Sequence, residues 1–224
     1  MLGRTAPLNV YAPSDFESML YAQIDTFCGG LGYEVRFVPL DTEVKKIIYD
    51  DRSLSVETIP LNHRVPCCGF LFKEKPTLPH IRRDMIDYYG IPESQINNIK
   101  NGMDWVMEDG DVIPNSRLVT PADPVRSYAY CSDTKYMPQL GQALRGVTTL
   151  YHESTYGEDN KKNAEKYYHS TASQAATVAR DANVGQLILG HFSARYNDES
   201  ILLEEAKSIF ANAFLAKEMA IFNV

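Results

Sequence analysis

Long apolar runs, paired cysteines and an excess of positive charge are all missing from this 224-residue chain. No run approaches the roughly 18 apolar residues of a membrane span, and the first residues lack the shape of a signal peptide. No membrane partner is therefore expected, and a reducing, cytoplasmic setting is. The four cysteines, Cys28, Cys67, Cys68 and Cys131, form no CxxC, which argues against a zinc ribbon or a disulfide framework. Cys67 and Cys68 read instead as small buried hydrophobes. The formal net charge of −7 gives no global basic field for holding nucleic acid, although a local patch would serve as well. Internal repeats and low-complexity segments are absent too.

What is present is ordinary in bulk: 44% hydrophobic and 23% charged residues, over a length that can bury a sizeable core. One large domain, or one with an appendage, is expected. "LNVYAP" reads as a strand ended by Pro13, and Ser14 or Asp15 would cap a helix stopped by Gly29 and Gly30. "YEVRFVPL", "KKIIYDD", "LSVETIPLNH" and "CGFLFKE" follow as short alternating strands. From Lys73 to Asn115 the chain turns polar, partly helical and studded with Pro and Gly, as in an excursion from the main body. After Ser127 the order is regular. Strands "SYAYCSD", "GVTTLYHEST" and "QLILGH" alternate with helices "MPQLGQALRG", "STASQAATVARDA" and a long "DESILLEEAKSIFANAFLA", the last capped by Asn197 or Asp198. Three strand–helix steps predict a mixed or parallel α/β sheet, whose ligand site lies beyond the carboxyl ends of the strands.

Chemistry-bearing residues collect at those ends. The three strands finish at Asp133, at His152–Glu153 and at His191; His169 immediately precedes a helix start, and His63 follows "VETIPLN". Singly, each is most simply a turn former, a cap or a hydrogen-bonded surface residue. Jointly, imidazole and carboxylate are the donor types that bind zinc at neutral pH, and they point to a metal-assisted hydrolase.

Five segments in order also resemble a known family. "LGHFSARY" is similar to the last metal-ligand motif of ribonuclease Z, the tRNA 3′-processing endonuclease of the metallo-β-lactamase superfamily. "YHEST" resembles its HEAT-type motif and "HSTA" its HST motif. "CSDT" resembles the strand end with the bridging aspartate, and "PLNHRVPCCGF" the earlier histidine motif. With "APLNVYAP" near the start, the likeness runs through the whole chain. The family's HxHxDH cluster has no counterpart, since no HxH and no DH pair occurs. The resemblance thus implies a metallo-β-lactamase-like αββα fold over residues 1–224, lacking its N-terminal portion through a late start codon, a truncated gene or trimming.

What the resemblance implies for single residues is specific. His63 would bind a first zinc, Asp133 would bridge two, and His191 would bind the second. Glu153 and His169 would form the acid/base pair; Ser193 and Arg195 would meet the substrate, and Tyr196 would meet it or only pack. Two donors per metal fall short of the about three protein ligands of catalytic zinc, so the chain is expected to be inactive alone. Residues 73–115 stand where the family inserts a tRNA-gripping arm, with His80, Arg82, Arg83, Lys100 and Trp105 as contacts, although "MEDGD" sets acids beside them. Precursor tRNA is the implied substrate and a homodimer the implied assembly. Two alternatives stand: a metal-free RNA-binding or dimerisation remnant, and another metallo-β-lactamase-fold phosphodiesterase or arylsulfatase-like hydrolase.

Overall fold

A computed structural model describes residues 3–224. Strand β1 (Leu8–Ala12) leads into helix α1 (Phe16–Cys28) and strand β2 (Val35–Pro39), which pairs in parallel with β1. The expected stop holds, because Gly29 takes the left-handed conformation at φ 57°. Asp15 occupies the cap position but makes no side-chain capping bond. Strands β3 (Ile47–Asp50), β4 (Leu54–Pro60) and β5 (Cys68–Glu74) follow.

The chain divides into two compact units, and residues 51–55 with 73–126 make up the second. This unit contains β6 (His80–Ile81), α2 (Arg83–Tyr89), α3 (Glu93–Lys100), β7 (Trp105–Val106), β8 (Val112–Ile113), α4 (Asn115–Leu118) and β9 (Val119–Thr120). Two small antiparallel pairs, β6–β9 and β7–β8, frame it. It has its own core: Ile91, Ile99, Ile113 and Leu118 are buried, with Met85, Ile86 and Trp105 packed around them. Acidic residues outnumber basic ones in this unit.

The first unit holds the regular part of the chain. In order it contains β10 (Ser127–Cys131), α5 (Leu140–Ala143), β11 (Thr149–Glu153), α6 (Lys161–Tyr167), α7 (Ala172–Ala182), β12 (Gln186–Gly190), α8 (Ser200–Lys207) and β13 (Ala213–Leu215). The seven-stranded sheet runs β13-β12-β11-β10-β5-β4-β3, and β10 to β13 are mutually parallel. Parallel neighbours need a crossover, which the helices supply.

Register puts like with like. Ala129, Leu150, Leu187 and Ala213 lie side by side, as do Tyr130, Tyr151, Ile188 and Phe214 in the next row. The first row is fully buried with the alanines of α7 (Ala172, Ala175, Ala176, Ala179 and Ala182), whose small side chains permit close helix–sheet approach. Helix α7 is anchored by a capping box, Thr171 and Gln174 each bonding the other's backbone N–H.

One expectation fails. The single long helix after Asp198 ends at Lys207, and Ala213–Leu215 becomes edge strand β13. The Leu187 N–H donates to Asn212 O at 3.0 Å and the Ala216 N–H to Leu189 O at 2.7 Å, so the open edge of β12 captures this segment. Tertiary pairing overrides the helical look of "SIFANAFLA". At its start the cap position is Glu199, one residue later than expected and without a side-chain capping bond, while Asp198 Oδ1 accepts from the Ser200 N–H at 2.9 Å.

Candidate active site

The carboxyl ends of β10, β11 and β12 converge on one cluster. Ligand atoms of Asp133, Glu153, His169 and His191 all lie within 4.8 Å of one another. Asp133 stands just past β10 and His191 just past β12. Each adopts the left-handed region at φ 58°, sparsely populated for residues other than glycine. That conformation turns the two side chains toward each other, with Asp133 Oδ1 2.9 Å from His191 Nε2.

Glu153 closes β11 and is wholly buried. Its Oε1 accepts from the Thr134 N–H at 2.6 Å and from His169 Nδ1 at 2.8 Å. Its Oε2 accepts from the Thr155 hydroxyl at 2.6 Å and the Ser170 N–H at 3.0 Å. Burial pushes this carboxyl up, yet the donors from His169, Ser170 and Thr155 outweigh it and hold the group below the usual glutamate value. His169 moves the opposite way: its bond to Glu153 raises it above the ordinary imidazole value, against the effect of burial. The pair is a buried carboxylate orienting a half-buried imidazole.

Three imidazoles stand together. The His169 ring lies 5.1 Å from that of His191, nearly stacked, and 5.0 Å from that of His63. His63 donates from Nδ1 to Tyr168 O at 2.9 Å, so its Nε2 is the nitrogen left for a ligand. Cys67 donates its thiol to Asp133 O at 3.3 Å. Burial first, and the Asp133 carboxylate next, push that thiol up to about 11.

Beyond His191, Ser193 and Arg195 are held in a turn. The Ser193 N–H donates to Thr155 O at 3.1 Å, while the Arg195 guanidinium donates to Asn160 Oδ1 at 2.9 Å and lies 5.5 Å from the centre of the Tyr156 ring. Tyr196 is half-buried against the core, its hydroxyl accepting from the Gly157 N–H at 2.8 Å. In the second unit His80 pairs with Asp123 and Arg82 with Asp84, while Arg83 is exposed and Lys100 ends α3. The Trp105 Nε1 atom is buried without a hydrogen-bond partner.

Sequence reasoning passes over Thr155 and Thr134. Both sit within the "YHEST" and "CSDT" motifs, and a short polar residue flanking a buried carboxylate is the available signal. Gly190 is required for packing. A side chain there would run into the Tyr151 phenol ring.

The donors of the cluster fit a metal in kind. One carboxylate and one to two imidazoles suit a divalent cation of zinc's type. Asp133 and His191 already bring an oxygen and a nitrogen donor to one point, 2.9 Å apart. In number, Asp133, His191 and the free nitrogen of His63 make a sparse set.

Comparison with known proteins bears on this geometry. Over 218 residues the chain is 51% identical to "Ribonuclease Z" of Bacteroides fragilis (strain YCH46), covering 97% of this chain and 72% of that protein. It is 52% identical to "Ribonuclease Z" of Phocaeicola vulgatus, with 97% and 71% covered. The chain belongs to the ribonuclease Z family. A more distant ribonuclease Z, from Porphyromonas gingivalis (strain W83), still shares 40% identity over the same span. No family model matches the chain.

Solved structures agree on the fold. Human tRNase Z, short form, superposes with a TM-score of 0.61 at 19% identity, over 98% of this chain and 69% of that one. A metallo-β-lactamase fold protein from Bacillus subtilis superposes with a TM-score of 0.60 at 13% identity, over 96% and 65%. The chain therefore has the metallo-β-lactamase fold. None of its described helices is long and apolar enough to cross a membrane.

Proposed function

We propose that the cluster at the ends of β10 to β12 is the catalytic centre of a metal-dependent endoribonuclease that removes the 3′ trailer of precursor tRNA. The observation that carries this reading is the buried Glu153 carboxylate fixing His169 beside the facing pair Asp133 and His191, in a chain half identical to proteins named Ribonuclease Z. Asp133, His191 and His63 are the residues that would hold zinc, Asp133 between two ions. When bound, the metal supplies positive charge to the scissile phosphate and makes water a stronger nucleophile at neutral pH.

The remaining work falls to the chain's own groups. Glu153 accepts a hydrogen bond from the Nδ1–H of His169, so the imidazole presents Nε2 outward. A proton held there passes to the leaving oxygen as the phosphodiester bond breaks. Arg195 is the candidate for a phosphate oxygen, through its planar fork. In the second unit Arg83 and Lys100 are better placed to meet RNA than Arg82, which Asp84 already neutralises. A homodimer in the cytoplasm completes the reading, and sedimentation velocity tests the assembly.

A sparse donor set makes weak metal binding the expectation for this chain alone. The decisive experiment joins it to the part of the Bacteroides fragilis relative outside the aligned residues. The joined protein should cleave trailer-bearing precursor tRNA with zinc, the chain alone should not, and His169→Ala in the joined protein should lower the rate by about 10² to 10⁴. Hydrolysis of small phosphodiesters with precursor tRNA untouched would instead point to another hydrolase of this fold.

A further inference from the structure

The hydroxyl of Thr155 lies between two functional groups. Its Oγ1 is 2.6 Å from Glu153 Oε2 and 2.8 Å from His191 Nδ1. A hydroxyl has one proton, so only one of these contacts can be donated by Thr155. An ionised carboxylate accepts and cannot donate. The Thr155 proton therefore goes to Glu153, and the contact to His191 must be donated by its Nδ1–H.

We propose that Thr155 is a positioning residue, which keeps the proton of His191 on Nδ1 and so presents Nε2 as the unprotonated, metal-facing nitrogen. The role rests on His191 being a metal ligand, as proposed above. It joins the acid/base pair to the metal site through one oxygen: the Glu153 carboxylate orients His169 with one of its oxygens and, through Thr155, His191 with the other. Hydrogen-bonded partners of this kind set the tautomer and ring orientation of metal-ligating histidines.

A competing arrangement exists, and burial decides against it. Asp133 Oδ1 faces Nε2 at 2.9 Å and would accept a proton placed there. Moving the proton to Nε2 would leave Nδ1 as an acceptor. The single Thr155 proton would then serve either Glu153 or His191, and the other contact would set lone pair against lone pair. That conflict would fall where Thr155 is 5% exposed and Glu153 not at all. On the other side, the His191 and Asp133 side chains are 40% and 45% exposed, and water can separate them. An unmet polar group costs more where water cannot reach it.

The test uses the full chain without metal, at a pH where the imidazole is neutral, and reads the His191 tautomer from long-range ¹H–¹⁵N spectra. The wild-type protein should carry the proton on Nδ1. Thr155→Val, which keeps the shape and removes the hydroxyl, should move it to Nε2, and Thr155→Ser should restore Nδ1. Zinc affinity by chelator competition, read in the joined protein, should fall about 10- to 100-fold in the Val variant and return to within about threefold in the Ser variant. A wild-type proton on Nε2 would overturn the role, even if the Val variant failed to fold. Unchanged zinc affinity in a folded Val variant would also overturn it. If the wild-type chain held its proton on Nδ1 but the joined protein bound no zinc, the metal reading would fail and the Thr155 hydrogen bond would stand.

Discussion

Asp133 and His191 leave strands β10 and β12 in the same left-handed conformation, φ 58°, and their side chains meet at 2.9 Å across the end of β11. Two non-glycine residues in a strained region, both aimed at one point, mark a site where geometry outranks stability.

That strain can be released. Asp133→Gly should stabilise the fold by about 0.5–1 kcal/mol, because glycine enters the left-handed region without steric cost. The substitution also removes the Asp133–His191 pair, which is solvent-exposed and contributes little. Urea denaturation should show the gain in stability, and zinc titration should show weaker binding. A destabilised variant would mean that the side chain is held by more than its site role.

Glu153 should tolerate no neutral replacement. Glu153→Gln places an amide among four donors from Thr134, His169, Thr155 and Ser170, leaving at least one N–H facing another. A loss of about 3 kcal/mol is expected, in the range for breaking a buried charge-assisted network. Denaturant midpoints at equal slope would measure it. A loss below about 1 kcal/mol would show that the carboxylate is not holding the site together.

His152 predicts a pH effect. The residue is fully buried in the row of Cys131 and Leu189; its Nδ1 donates to Glu153 O at 2.7 Å and its Nε2 has no partner. Burial pushes this imidazole below its ordinary value of 6.5. The unfolded chain therefore binds a proton that the folded one refuses, and stability falls as pH drops below 6.5. His169 works in the opposite sense, since its raised value makes its contribution complete below 6.5 and lost as pH rises through the folded value. His152→Leu should remove the first effect alone. Its stability relative to wild type should therefore improve between pH 7.5 and 5.5, and a constant difference would contradict the assignment.

Gly190→Ala should destabilise by about 1–3 kcal/mol, the usual cost of overpacking. The new methyl group would meet the Tyr151 ring, which stacks on Tyr130 at 4.7 Å between centroids and cannot turn aside cheaply. Tyr151→Leu combined with Gly190→Ala should recover much of the loss. Strictly additive effects in that double-mutant cycle would place the clash elsewhere.

Much of this was legible in the sequence because it depends on near neighbours. Short apolar runs mark β10 to β12, Thr171 and Gln174 announce the start of α7, and strand exits followed by His, Asp and Glu point to the end of the sheet that holds the chemistry. Such signals arise from side chains a few residues apart, within one strand or one helical turn. Other features depend on residues far apart along the chain. Ala213–Leu215 is a strand only because the edge of β12 is open beside it, and Gly190 is required only because Tyr151 lies next to it. The shared left-handed turn of Asp133 and His191 needs two separate strand ends to be fixed first. The Thr155 hydroxyl acquires its two partners only when β11 and β12 pair with Glu153 opposite Gly190. Residue types and their local order determined which chemistry this protein can carry. Hydrogen-bond geometry across paired strands decided which atoms of those residues face one another.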